Sequence, residues 1–109
     1  MPSYTKDDII LVQLPFSDLS GSKIRPAVVV NAEHISKDLI IVPLTSKTSS
    51  LLEGEFILSE WAAAGLKLET AVKRGLYTVH QSLVTKTIGR LADPDAEQLV
   101  RSIQIWLGL

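Results

Sequence analysis

The chain contains no cysteine, so neither a disulfide framework nor a thiolate metal site is open to it. Its two histidines, His34 and His80, do not stand at ligand spacing, which removes the ordinary zinc arrangements too. No charge of one sign dominates. Eleven Lys and Arg offset twelve Asp and Glu, for a net charge of −1 and a pI of about 6.1. That balance argues against a protein that coats nucleic acid by bulk electrostatics, while leaving room for a local grip. Long hydrophobic runs are missing as well. The longest, Leu39 to Leu44, is far too short to cross a bilayer, and Met1 to Asp8 holds no apolar stretch of the signal-peptide kind. The expectation is a cytoplasmic protein with no membrane partner.

What is present describes an ordinary globular chain: 46% hydrophobic and 21% charged residues in 109 positions. A chain of this length buries roughly 65% of its unfolded surface, enough for one core, so residues 1–109 read as a single domain. No repeat, low-complexity tract or linker divides it. Lys23, Arg25, Lys47, Lys73, Arg74, Lys86 and Arg90 occupy the middle of the chain; Asp7 and Asp8 lie before them, and Asp93, Asp95 and Glu97 after. For most of these an ordinary mixed surface is explanation enough.

Strand signals dominate. Asp8 to Leu14 is β-branched and stopped by Pro15, Ile24 to Ala32 is a long buried strand, and Asp38 to Leu44 is apolar enough to be central. Pro15 to Lys23 is a loop with a Ser-Gly-Ser centre, and Thr45 to Gly54 is polar enough to read as a mobile loop. Glu55 to Leu58 is a short strand. Ser59 to Gly65 reads as a helical turn or two, with Ser59 as N-cap and Gly65 as stop. Leu68 to Val79 suggests a bent strand broken near Gly75, and Thr85 to Leu91 a last strand. The clearest helix follows, with Asp93 as N-cap, Pro94 at its first position and Asp95 in the first turn. Ala96, Leu99, Val100, Ile103 and Leu107 define its apolar face, and Gly108 ends it. Five or more short strands with a small insertion helix and a C-terminal helix predict a mainly β fold. A small, strongly bent antiparallel sheet of the SH3-like barrel kind is the expected form.

Two segments stand out chemically. Arg25-Pro26 opens the run Ala27-Val28-Val29-Val30, and Pro43-Leu44-Thr45-Ser46-Lys47 closes the next strand. Together they place a permanent cation and a hydroxyl cluster at the ends of adjacent strands, equipment suited to gripping a phosphodiester.

These segments also carry a likeness over the whole chain. Asp8 to Val12, Pro15 to Asp18, Gly21 to Val30, Val42 to Lys47, Ser82 to Val84 and Ile88 to Leu91 follow in the order and spacing of one family. From Asp8 to Leu107 the sequence resembles the MazF/PemK toxins of bacterial toxin–antitoxin systems. The resemblance implies a CcdB/Kid/MazF-type barrel, a homodimer that cleaves single-stranded RNA at short sequences with no metal or cofactor. It also implies an antitoxin partner whose extended acidic tail lies across the RNA groove. The family's catalytic arginine and threonine fall here on Arg25 and Thr45. The chain departs from the family at His80, where an acidic residue is common, and in the loop from Ser17 to Lys23.

The residues support that chemistry on their own terms. Cleavage without metal needs the 2′-OH to attack its neighbouring phosphate in line, giving a 2′,3′-cyclic phosphate and a 5′-OH. Orientation and stabilisation of extra negative charge are then the protein's work. Arg25 suits a clamp rather than a base, because a guanidinium stays charged. The plainer reading of Arg25 is a strand-end arginine paired with Asp18, and that of Thr45 a hydroxyl satisfying a turn. Ser46 and Lys47 add a donor and a positive field. Phe16, Ser20, Ser22, Lys23, His80 and Gln81 complete the expected substrate-binding set. An imidazole is the usual carrier of protons near neutral pH, yet His80 reads more simply as a half-exposed polar residue. Phe16, Tyr77 and Trp61 are aromatics on which bases could stack, although filling a small core is the plainer role for each. Trp106 suits packing at a core or dimer surface. A gyrase-binding toxin of the CcdB type, using Ile105 to Leu109, is the alternative function. An inactive binding barrel is another.

Overall fold

In the computed structural model, residues 3–15 and 22–109 are described. Strands β1 (Asp8–Pro15), β2 (Ser22–Val29) and β3 (Asp38–Thr45) form an antiparallel meander. The β-branched runs account for it. Ile9 and Ile10 are both fully buried, as are Val28 and Val29, so this sheet is covered on both faces. The second strand starts earlier than its apolar run and stops at Val29, short of Ala32. The third extends through Thr45.

After β3 come two short strands, β4 (Phe56–Ile57) and β5 (Ala71–Val72), which pair with each other. The expected bent strand over Leu68 to Val79 is instead two strands, β5 and β6 (Tyr77–His80), which take successive halves of one edge of β3. Their registers differ by two residues, absorbed around Gly75 at φ +151°. Strand β7 (Val84–Arg90) pairs with the far edge of β1, through two register shifts. A 3₁₀ turn of three residues, Gln81–Leu83, joins β6 to β7. Three residues of 3₁₀ rise about 6 Å, so the two outer edges of β3-β2-β1 must curl together. The seven-stranded sheet is thus the expected SH3-like barrel.

Its interior holds Ile10, Val12, Ala27, Val29, Leu39, Ile41 and Val79. The outer face carries a second core of Ile9, Val28, Val42, Leu44 and Val72, covered by Leu58, Ala64, Leu91 and Leu99. Leu99 belongs to helix α1 (Asp93–Leu107). The N-cap of α1 is Ala92 rather than Asp93, and Ala92 offers no side-chain cap. The buried stripe is also rotated from the expected one. Asp95, Leu99 and Ser102 face inward, whereas Val100 and Leu107 are exposed.

The reason lies in the segment facing the helix. Residues 59–65 make a single turn, ended as expected by Gly65 in a left-handed conformation. Leu66 N donates to Trp61 O and Gly65 N to Ala62 O, the paired bonds of a Schellman close. Ser59 does not cap this turn. Asp95, 3% exposed, accepts from Ser59 N, Ser59 Oγ and Glu60 N at 2.9 to 3.0 Å, capping it from the helix. Ser102 Oγ donates to Gly54 O, and Trp106 Nε1 to Glu53 O. Trp61 packs on the outer core, the plainer of its two expected roles. The segment Thr45 to Gly54, expected to be mobile, is fastened at its far end by these helix side chains.

Candidate functional site

The register of β2 on β3 runs Ala27↔Pro43, Val28↔Val42 and Val29↔Ile41. Arg25 and Thr45 lie two residues beyond Ala27 and Pro43, the last pair of that ladder, and so on the same face of their strands as those two. Arg25 also stands opposite Val12 of β1, a barrel-interior residue. Directly opposed residues share a face, so Arg25 and Thr45 continue the interior face to the open end of the barrel. There a groove of about 310 Å³ is lined by Leu14, Arg25, Pro43, Leu44, Thr45, Ser46, Lys47, Lys73 and Tyr77.

Thr45 is the best-defined group in it. Its Oγ1 accepts the Lys47 N–H at 3.1 Å, the turn-satisfying bond that the plainer reading anticipates. The same bond fixes the oxygen and leaves the hydroxyl proton available to an acceptor in the groove. The two roles are compatible.

Among the described residues three cations, Arg25, Lys47 and Lys73, line the groove, and no carboxylate does. Lys73 arrives by non-local pairing: its N–H donates to Pro43 O at 2.9 Å, extending the β5–β3 ladder. Behind it Glu55 acts as a brace. Its Oε2 accepts from Arg74 N at 2.9 Å and its Oε1 from Leu52 N at 2.7 Å. The Arg74 N–H above all, then the Leu52 N–H, holds this carboxyl below its ordinary value, with Lys73 and Arg74 adding to the effect against desolvation.

The expected substrate-binding residues divide. Ser46 and Lys47 line the groove, and Lys23 pairs with Leu14 on its rim. Ser22 heads β2 opposite Pro15. Phe16 and Ser20, like Asp18, lie outside the described residues. His80 and Gln81 fall elsewhere. His80 pairs with Asp38 at the opposite end of β3, about 23 Å along the strand from Thr45. There His80 Nδ1 accepts from Ser82 N at 3.1 Å and caps the 3₁₀ turn. Gln81 lines a separate hollow of about 200 Å³ with Asn31, His34 and Lys37. The lining residues that sequence reasoning left out of the site are Leu14, Pro43, Leu44 and Lys73, together with Tyr77, which it favoured as core. For Lys73 and Tyr77 the one available signal was the break at Gly75.

The sequence profile of the PemK-like, MazF-like toxins of type II toxin–antitoxin systems matches residues 5–107. The chain belongs to that family. No curated protein matches the sequence. Among solved structures, this MazF-like chain is similar to the Mycobacterium tuberculosis toxin MazF-mt6, at 22% identity and a TM-score of 0.75, covering 94% of this chain and 97% of that one. A mycobacterial endoribonuclease superposes with a TM-score of 0.79 at 14% identity, covering 100% and 95%. Another, a mycobacterial endoribonuclease in complex with its cognate antitoxin, gives 0.80 at 14%, covering 98% and 97%. At these identities the likeness establishes the fold. Among the described residues, no helix is long and apolar enough to cross a membrane.

Proposed function

We propose that this MazF-like toxin is an endoribonuclease that cuts single-stranded RNA at short sequences and so arrests translation in the cytoplasm. The observation that carries the reading is the groove in which Arg25 and Thr45 meet, with Lys47 and Lys73 beside them and no carboxylate among the described lining residues. A polyanion is the ligand such a groove accepts, and membership of the MazF-like toxin family supports RNA as that polyanion.

In this reaction the 2′-oxygen attacks the adjacent phosphorus while the P–O5′ bond breaks. The 2′-OH loses its proton and the departing 5′-oxygen gains one. The products are a 2′,3′-cyclic phosphate and a 5′-OH. Arg25 holds two phosphate oxygens in a bidentate clamp and opposes the charge that builds up at phosphorus. Thr45 donates its hydroxyl to a non-bridging oxygen, preset by its bond to Lys47 N. Lys47 and Lys73 hold the strand on either side. Nucleophile and electrophile come in one molecule, so orientation and charge stabilisation suffice without a metal or cofactor. Two assemblies accompany the activity: a homodimer, and a complex with an antitoxin whose acidic, extended tail takes the place of RNA in the cationic groove. A neighbouring fold has been seen with its cognate antitoxin.

The test is pure protein incubated with a long single-stranded RNA in excess chelator, with the product ends mapped. Discrete cuts bearing 5′-OH ends, absent with Arg25→Ala, are expected. RNA left intact by the unaltered protein overturns the reading and turns attention to gyrase.

A further inference from the structure

Tyr77 does not behave as a core aromatic. It is 50% exposed, and its hydroxyl makes no hydrogen bond among the described residues. A tyrosine held for packing would be buried and bonded through its oxygen. Instead the ring lies against Gly75, where an added Cβ would come within 2.8 Å of Tyr77 Cε2 and 3.4 Å of Cζ. Gly75 also sits at φ +151°, a conformation that side chains disfavour. Glycine therefore serves twice here: it permits the break between β5 and β6, and it lets the ring settle on bare backbone. The ring is supported from behind and open to solvent, inside the groove that holds Arg25 and Thr45.

The neighbouring cation completes the pattern. Lys73 and Tyr77 flank the Gly75 break, and both line the groove wall formed by β5 and β6. A cation beside an exposed aromatic ring is what one nucleotide of a single strand requires, phosphate on one and base on the other. We propose that Tyr77 and Lys73 form a nucleotide subsite next to the scissile phosphate. Tyr77 stacks on the base flanking the cut, and Lys73 contacts the phosphate of that nucleotide. Gly75 positions the ring. The inference rests on the ribonuclease reading and adds to it the residue that selects for a splayed base.

The experiment begins with one mapped cut in the long RNA, from which a short oligonucleotide spanning that cut is made. Variants of it each lack one base near the cut. Stacking on an aromatic is worth about a tenfold loss or more when removed, so Tyr77→Ala and Tyr77→Leu should each lose at least that in kcat/KM. Tyr77→Phe should stay within about twofold. Tyr77→Leu keeps apolar bulk, so its loss is assigned to the missing aromatic face once thermal unfolding shows an intact fold. At one abasic position the unaltered protein should lose the same factor and Tyr77→Leu nothing more. Lys73→Ala should lower the dependence of log affinity on log salt by about 0.7, one phosphate's worth. Tyr77→Leu cutting at full rate, or losing the same factor at every abasic position, overturns the subsite while leaving the ribonuclease standing. No cutting by the unaltered protein overturns both.

Discussion

The two ends of β3 are built from similar materials and put to different use. Around Asp38 the polar residues spend themselves on nearby backbone. Asn31 Oδ1 accepts from Ile40 N, His34 Nδ1 from Ser36 N and His80 Nδ1 from Ser82 N. Around Thr45 one hydroxyl is bonded to its own turn, and the remaining groups line an open groove. His34-Ile35-Ser36 and His80-Gln81-Ser82 are the same local device used twice at one end, a histidine closing a turn for the serine two residues on. The lesson is that residue type alone does not mark a site. His80 serves a turn about 23 Å along the strand from the groove, whereas Thr45, engaged by backbone in the same way, stands inside the groove with a hydroxyl proton to give.

Substitutions at the two ends should part company sharply. The largest effect belongs to Arg25→Ala, which removes the clamp on developing charge. A fall of about 10²- to 10³-fold in kcat with an intact fold is expected in single-turnover cleavage. Thr45→Val comes next, at about tenfold to a hundredfold, the worth of one hydrogen bond to a charged oxygen. Thr45→Ser should recover most of that loss, and failure to do so would show that the methyl, not the hydroxyl, matters.

At the far end His80→Ala should change cleavage by less than about twofold and cost about 1 kcal/mol or less of stability in urea unfolding, as loss of a turn cap does. A tenfold loss of activity there would erase the contrast between the two ends. The smallest effect is a pH signature behind the groove. The folded Glu55 carboxyl titrates below its ordinary 4.5, so its contribution is complete above that value and disappears as pH falls through the lowered one. Stability curves of Glu55→Gln and the unaltered protein should therefore converge only in acid. A gap that stays constant down to pH 3 would remove Glu55 as the brace for residues 73 and 74.

Much of this was legible in the sequence because it is local or periodic. The three central strands, the stop at Gly65, the terminal helix and the nearness of Arg25 to Thr45 all rest on β-branched runs, turn residues or family spacing. What was hidden depends on distant partners. Nothing near Ser59 says that its turn is capped by Asp95, 36 residues on. The helix face was misjudged because a carboxylate and a hydroxyl, Asp95 and Ser102, occupy buried positions that hydrophobic periodicity assigns outward. His80 was grouped with the substrate-binding residues because sequence gives no sense of which end of a strand a residue will occupy.

The bonds from residues 53, 54, 59 and 60 to α1 also have a consequence in time. Glu53, Gly54, Ser59 and Glu60 are all fastened by side chains of Asp95, Ser102 and Trp106, which a ribosome adds after every strand. The barrel strands, the β4–β5 pair and the Glu55 bonds to Leu52 and Arg74 can form while the chain is still emerging, whereas the fastenings of residues 53, 54, 59 and 60 wait for the helix. The seam between residues 53–60 and α1 is therefore the last part of the fold to close, after the described residues that line the groove have their strand partners.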